Sequence, residues 1–558
     1  MSSAPNPTTE DARPDEDLNR RAFPVLSERQ VGLLRPFGTV RTTSAGDVLF
    51  ELGDEGYDLV VVLEGRTEIV ERSDGTDRVL KTSGPGEFHG ELGLLTGQTV
   101  FAACVVRDPG RVLLVPPAKL REAIETVPEL SDVLVTAFAA RRQVLMRSAA
   151  ATLSIVGPET SPAVLALEEF AARNRVPHRV LTPDDPAARR LLAAHPATDA
   201  AVRVVIRGQK VLDDPSHLTL ARALGLDLVV RQDAPADLLV VGAGPAGLAA
   251  AVYGASEGLK TVIVDDVAIG GQAGTSSRIE NYLGFPTGIS GGDLAFKAEV
   301  QAIKFGARVT VPRRATALDR DGDAYVVRLD DGTALRGRSV IVATGARYRR
   351  LGLPNQEEFD GAGVYYAATE LEARYCRGEE VVVVGAGNSA GQAAMFLAGS
   401  ARCVHLLVRG PDLARSMSRY LIARLERSPA VRVRTETRVR ELRGDASGHL
   451  AGIVVDAPKG SAEIPTPALF VMIGADPCTD WLRGTLDLDD KGFVLSGRAP
   501  AADAPSAASP YQTSLPGVFA VGDVRAGSVK RVASAVGEGS VVVQAVHAYL
   551  AAMATADA

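Results

Sequence analysis

Two stretches of the sequence share one device. Residues 237–266, DLLVVGAGPAGLAAAVYGASEGLKTVIVDD, place Gly242, Gly244 and Gly247 between an apolar run and an alanine-rich run, and end on Asp265 and Asp266. Residues 379–410, EEVVVVGAGNSAGQAAMFLAGSARCVHLLVRG, repeat the device with Gly385, Gly387 and Ala390, but end on Val408, Arg409 and Gly410. This spacing constrains the fold because each position answers a different need. The first glycine permits a tight turn out of a strand. The second lets backbone approach a pyrophosphate, and the third position lets the next helix pack on the strand. Each stretch therefore predicts strand, turn, helix, strand, with a phosphate at the helix start. Asp265 stands where a carboxylate accepts from a ribose hydroxyl. Arg409 stands at the matching place in the second stretch, and a guanidinium suits a 2′-phosphate, which favours NADPH over NADH. The expected NADPH contacts are Gly385, Gly387, Asn388, Ser389, Ala390, Arg409 and Arg415, with Arg419 in support. Two such loops in one chain indicate two dinucleotides.

With 558 residues the chain is too long for one core and predicts three or four domains. The net charge of −7 and the lack of a Lys/Arg run argue against nucleic acid as the main partner. The acidic start shows no basic segment followed by an apolar core, and no apolar run reaches membrane-spanning length, so a cytoplasmic protein is expected with no membrane partner. The four cysteines (Cys104, Cys376, Cys403 and Cys478) form no CxxC, which leaves neither a local redox dithiol nor a metal knuckle. No metal is expected.

Residues 1–22 are rich in Pro, Ser, Thr and acids and predict a disordered tail. From 23 to 150, β-rich runs punctuated by Gly46, Gly53, Gly56, Gly65 and Gly75 predict a small β-barrel of jelly-roll type, followed by helix over about 117–149. The runs GDVLFELGDEGYDLVVVLEGRTE and FHGELGLLTGQ resemble the cyclic-nucleotide-binding domain family over residues 24–149. The resemblance implies that a short helix after Gly90 and Glu91 cradles a cyclic phosphate and that Glu91 binds its ribose. The family then carries Pro-Arg, whose arginine pairs with the phosphate. This chain has Thr99 and Val100 there, which argues against tight cyclic-nucleotide binding and leaves packing, dimerisation or another ligand as the expected use.

Residues 151–233 read as strand, helix, strand, then two strands and a helix, an order similar to the thioredoxin/glutaredoxin fold. That family places its CxxC between the first strand and helix. Here the place holds GPETSP (157–162), so a spacer or docking module is expected.

From residue 237 to 550 the chain resembles the low-molecular-weight thioredoxin reductases. The glycine loops, GGQAGTSSRIENYLGFP (270–286), VIVATGARY (340–348), SLPGVFAVGDV (514–524) and KRVASAVGEGSVVVQAV (530–546) carry the resemblance. It implies two Rossmann-like domains: an FAD domain at 236–350 and 475–558, and an NADPH domain inserted at 351–474. It implies FAD held by Gly242, Gly244, Gly247, Asp265, Gly271, Gln272, Asn281, Thr344, Gly345, Gly522, Asp523, Arg531, Val532 and Ala533, and hydride transfer from NADPH to the flavin. It also implies a homodimer.

The family's NADPH domain carries Cys-Ala-Thr-Cys-Asp. In this chain the register puts Ala367 and Glu370 at the two cysteine positions and Leu371 at the acid–base position. Attack on a disulfide requires a thiolate. The expectation is an NADPH-dependent flavoenzyme that passes electrons to an unidentified small-molecule or protein acceptor, with Glu370 as the candidate catalytic group. Two alternatives remain: an FAD/NADP(H) sensor or scaffold without turnover, and a thioredoxin reductase that uses remote cysteines.

Overall fold

The computed structural model describes residues 12–556 apart from 52–53, 55–56, 74–75, 91–92, 97–101, 149–152, 159–160, 175, 177, 194, 196–197, 207–209, 225, 231, 277–278, 280–281, 361–362, 367, 369–372, 374–375, 446–448 and 498–508.

The N-terminal region departs from expectation twice. Residues 12–22 form a helix, α1 (Ala12–Ala22), rather than disordered chain. Leu18 and Ala22, one helical turn apart, are buried against Ala140, with Phe23 and Val144 at the margin. The segment is polar overall, but this narrow apolar stripe is enough to dock it. Residues 1–11 lie outside the described chain.

The second departure is the barrel. After α2 (Glu28–Leu34), strands β1 (Thr39–Thr43), β2 (Val48–Phe50), β3 (Leu59–Ser73), β4 (Thr76–Ser83), β5 (Phe88–His89) and β6 (Ala103–Val115) form one sheet in the order β1-β6-β3-β4. Among the described residues, β2 pairs with β6 and β5 with β3, and no pairing closes the sheet. The long strands β3 and β6 instead change register between Val62 and Thr67, and bulges of this kind bend a sheet. Glycine is required there: a Cβ on Gly110 would stand 1.9 Å from the Glu64 carbonyl oxygen. The short helix α3 (Gly93–Thr96) lies between β5 and β6, and α4 (Pro117–Thr126) and α5 (Pro128–Ser148) follow.

Next come β7 (Leu153–Val156), α6 (Pro162–Arg173), β8 (His178–Leu181), α7 (Pro186–Leu192), β9 (Arg203–Ile206), β10 (Lys210–Asp213) and α8 (His217–Leu224). The sheet order is β10-β9-β7-β8, with β7 and β8 parallel and the other pairs antiparallel. The element order matches the sequence reading, with α7 as an addition.

The segment after α8 is tied down on both sides. Leu228 and Val311 exchange two backbone hydrogen bonds, and buried Arg313 pairs with Asp227 at 2.7 Å and with Asp331.

The first glycine stretch supplies β11 (Ala236–Val241), α9 (Pro245–Ser256) and β12 (Thr261–Val264). α10 (Gly291–Lys304), β13 (Arg308–Thr310), the meander β14 (Ala315–Asp321), β15 (Ala324–Leu329) and β16 (Ala334–Val342) complete this half. Their sheet runs β13-β12-β11-β16-β15-β14, with β11, β12, β13 and β16 parallel where they meet. The second stretch builds a separate parallel sheet from the segments Val364–Tyr365, Leu469–Val471, Glu380–Val384, Cys403–Leu407 and Val431–Arg434, in that spatial order. Beyond it the chain returns. Val518–Ala520 pairs parallel with Val340–Val342 of β16, and the C-terminal helix Val532–Ala556 packs on α9. No described helix is long and apolar enough to cross a membrane.

Candidate functional site: two nucleotide loops and a missing dithiol

The first loop is fixed by close approach. Gly242 has φ +104°, and a Cβ there would lie 2.4 Å from the Ala343 carbonyl oxygen. A Cβ on Gly247 would lie 1.8 Å from the Gly242 carbonyl oxygen. Gly244 differs, because the nearest atom to its Cβ position is Gly271 Cα, at 3.8 Å. A Cβ there would make only an ordinary van der Waals contact. No side chain caps α9, so its first N–H groups are available to a phosphate.

Asp265 follows β12 and is buried. Its Oδ2 accepts from Ala243 N at 2.8 Å, and its Oδ1 accepts from Val267 N and Ala268 N, both at 3.2 Å. Burial raises its pKa to about 6, against the opposing pull of the Arg173 guanidinium. Oδ2 has one accepted hydrogen bond and a second lone pair, which fits a ribose hydroxyl.

The other residues expected at the flavin gather around this loop. Gly271 opens a 3-10 turn, Gly271–Thr275, that carries exposed Gln272. A Cβ on Gly271 would stand 2.7 Å from Gly244 Cα, so the turn abuts the phosphate loop. Ala343 N donates to Val241 O, which places Thr344 and Gly345 beside Gly242. Thr344 Oγ1 donates to Cys478 O at 2.8 Å, and Gly345 adopts φ +70° with open space around its Cβ position. Gly522 has φ +74° and sits against Ala246 of α9. Asp523 is largely enclosed; burial raises its pKa and Lys530 pulls it back. Arg531, Val532 and Ala533 lie at the start of the C-terminal helix, with Arg531 and Ala533 exposed. Asn281 lies outside the described residues. The arrangement is that of the C-terminal ends of parallel strands, where ligands of open α/β sheets bind.

The second loop repeats the turn in a more open setting. Gly385 has φ +149° and would clash with the Met472 carbonyl oxygen at 2.5 Å if given a Cβ. Gly387 has nothing within 4 Å of its Cβ position. Asn388 and Ser389 are exposed and Ala390 is fully buried. The sequence reading missed what holds this loop. Ser416 Oγ donates to Ala386 O at 2.9 Å, and Asn388 Oδ1 accepts from Ser418 N at 2.8 Å. Thus Asn388 is already engaged by its own chain. Arg409, Arg415 and Arg419 are exposed.

The dithiol positions Ala367 and Glu370, with Thr369 and Leu371, lie outside the described residues. Sulfur elsewhere is poorly placed for chemistry. Cys104, Cys376 and Cys403 are buried, and none of the four cysteines is in a disulfide. Burial pushes Cys104 to about 12 and raises Cys403 and Cys478. Cys478 comes nearest to the flavin-side loops, through Cys478 N to Gly345 O at 3.1 Å. Its raised pKa makes it a weak nucleophile at neutral pH.

In the N-terminal sheet, the Gly90 carbonyl accepts from Arg141 Nη1 at 2.6 Å. Arg141 is buried on α5 and also donates to Ala22 O, so one side chain joins α1, α5 and this loop. Glu91, Thr99 and Val100 lie outside the described residues. Neighbouring His89 is buried on Thr67, and burial lowers its pKa to about 3. The described residues hold no cluster of three or more His, Cys, Asp or Glu side chains able to take a metal.

Comparison with known proteins matches these two regions. The family model described as cyclic nucleotide-binding domain covers residues 40–127. The thioredoxin reductase of Streptomyces coelicolor is 33% identical over 324 residues, which is 58% of this chain and 96% of that protein. An NADH dehydrogenase of Ferdinandcohnia aciditolerans is 33% identical over 316 residues, 57% of this chain and 58% of that one. The solved thioredoxin reductase of Streptococcus pyogenes, 30% identical, superposes with a TM-score of 0.52 over 57% of this chain and 99% of its own. The family model described as pyridine nucleotide-disulphide oxidoreductase spans residues 236–539, and the chain belongs to that family, in a form that resembles thioredoxin reductase and carries an N-terminal cyclic nucleotide-binding domain.

Proposed function

We propose that the protein is an FAD-dependent NADPH oxidoreductase whose electrons leave for an acceptor other than an internal dithiol. One observation carries the reading: two glycine loops, each with its first glycine at positive φ and its helix start uncapped by any side chain, stand in a chain with no thiol at residues 367–370. FAD would rest on Gly242, Gly244 and Gly247, with Asp265 accepting from its adenosine ribose. Gln272, Thr344, Gly345, Gly522 and Asp523 would line its flavin half, with Asn281 and residues 531–533 alongside. NADPH would rest on Gly385, Gly387, Ser389 and Ala390, with Arg409 and Arg415 at its 2′-phosphate. Bound together, the two cofactors supply hydride transfer from nicotinamide to flavin. The protein's own part is to orient them and to present an acceptor, with Glu370 as the candidate group at the vacated thiol position.

Anaerobic addition of NADPH to purified protein should bleach the oxidised flavin spectrum, and an oxidant screen should then find an acceptor that restores it. A flavin that stays oxidised under excess NADPH defeats the proposal. Flavin that is reduced but regains colour only by slow reaction with oxygen favours the sensor reading. Arg141 and the packing of α5 on α10, where Lys304 meets Asp132 at 3.3 Å, give that reading a physical path from the N-terminal sheet. Use of remote cysteines is disfavoured by the burial of three of the four thiols and the raised pKa of Cys478. Cyclic AMP is expected to leave the bleaching rate unchanged, since Val100 offers no charge to a phosphate.

A further inference from the structure

The module between the N-terminal sheet and the first glycine loop has no CxxC, yet it touches the nucleotide site directly. Arg173, the last residue of α6, has a side chain only 12% exposed. Its Nη2 lies 3.6 Å from Asp265 Oδ1 and donates to Ala268 O at 3.1 Å. Asn174 Nδ2 donates to Val267 O at 3.1 Å. Val267 and Ala268 belong to the module's own core, packed with residues such as Phe170 and Leu153. The loop 265–268 is thus gripped twice. Its amides bond to the Asp265 carboxylate, and its carbonyls bond to the module. A buried carboxylate is costly unless it is paired, and Arg173 is the cation that faces Asp265 from the module.

Resting on the reading of Asp265 as the acid at the FAD ribose, we propose that the 152–230 module is a structural part of the adenosine end of the FAD site, with Arg173 the positioning residue that holds Asp265 ready to accept from the ribose. The module then acts as a retention element for FAD, and the lack of a CxxC costs it nothing. On that reading its influence is confined to the adenosine half.

The test uses full-length protein freed of flavin, with binding followed by quenching of flavin fluorescence for FAD and riboflavin in parallel. R173A should weaken FAD binding roughly tenfold or more, the scale of a lost hydrogen-bonded charge. R173K should recover part of the loss, and riboflavin affinity should stay at its wild-type value. In a double-mutant cycle, R173A with D265N should bind FAD no worse than D265N alone. If R173A does not fold, R173Q keeps a donor for Ala268 O without the charge and serves in its place. Unchanged FAD affinity, equal losses for FAD and riboflavin, or additive effects in the cycle overturn the module's role while leaving the function reading intact. Wild-type protein that takes up no FAD overturns both.

Discussion

The two glycine loops start from one spacing and end in different surroundings. Around the first, backbone is packed against backbone. Gly271 presses on Gly244, Gly522 sits on Ala246, and a Cβ on Gly539 of the C-terminal helix would stand 2.1 Å from the Ala246 carbonyl oxygen. The acid of this site is buried and gripped from two sides. Around the second, Gly387 faces open space and the arginines are exposed. The turn is thus set locally, but its surroundings decide how firmly a ligand is enclosed. On the proposed assignment, the first loop suits a resident group and the second a ligand that exchanges.

Four experiments press on this contrast. The largest effect is expected from Gly247→Ala, whose new Cβ would meet Gly242 O at 1.8 Å. It should cost about 3 kcal/mol in denaturant unfolding and strip the flavin. The second loop already has Ala390 at the matching position, so an equal tolerance at Gly247 would erase the distinction.

The next effect is one of pH. Asp265 has a folded pKa of about 6, above its ordinary carboxylate value. Between about pH 4 and 6, FAD-free folded protein holds a proton that the unfolded chain has released. Its stability should therefore fall as pH rises through that window, by up to about 1.4 kcal/mol per unit, and level off above it. D265N should flatten that slope in thermal melts across pH, and an unchanged slope assigns the effect to other groups.

Third, Arg409→Ala should raise KM for NADPH roughly 10- to 100-fold, the loss of one charge-assisted contact, while KM for NADH holds. Equal losses for both nucleotides would mean that Arg409 does not read the 2′-phosphate. The smallest effect on stability belongs to Gly387→Ala. With φ −87° and open space around its Cβ, it should move the unfolding free energy by less than about 0.5 kcal/mol while weakening NADPH binding.

Both loops were legible in the sequence because their spacing is local: three small residues within six positions, between an apolar run and an alanine-rich one, mark the turn even though Gly242 and Gly385 are held by the distant carbonyls of Ala343 and Met472. Asp265 was legible for the same reason, as an acid at a strand end. What surrounds it was not. Arg173 and Asn174 meet residues 267 and 268 from more than 90 positions away, and an arginine at the end of a helix reads as an ordinary surface charge. Ser416 and Ser418 were hidden likewise, since hydroxyl and backbone contacts across 30 residues leave no periodic trace. The tail was misread because composition averages over 22 residues, whereas docking needed only Leu18 and Ala22. Closure of the N-terminal sheet was not legible, because turn spacing reports strand lengths but not whether the outer strands meet, and among the described residues no pairing joins them.

The return of Val518–Ala520 to β16 has a consequence for synthesis. Val340–Val342 is made early, but its partner strand emerges only after the insert that carries the second parallel sheet. Until then a strongly apolar strand edge stands open on the ribosome, and such edges invite pairing with other chains. The insert, with its own parallel sheet, can complete itself meanwhile. Truncation between residues 342 and 518 should therefore yield aggregation-prone chains rather than a smaller working enzyme.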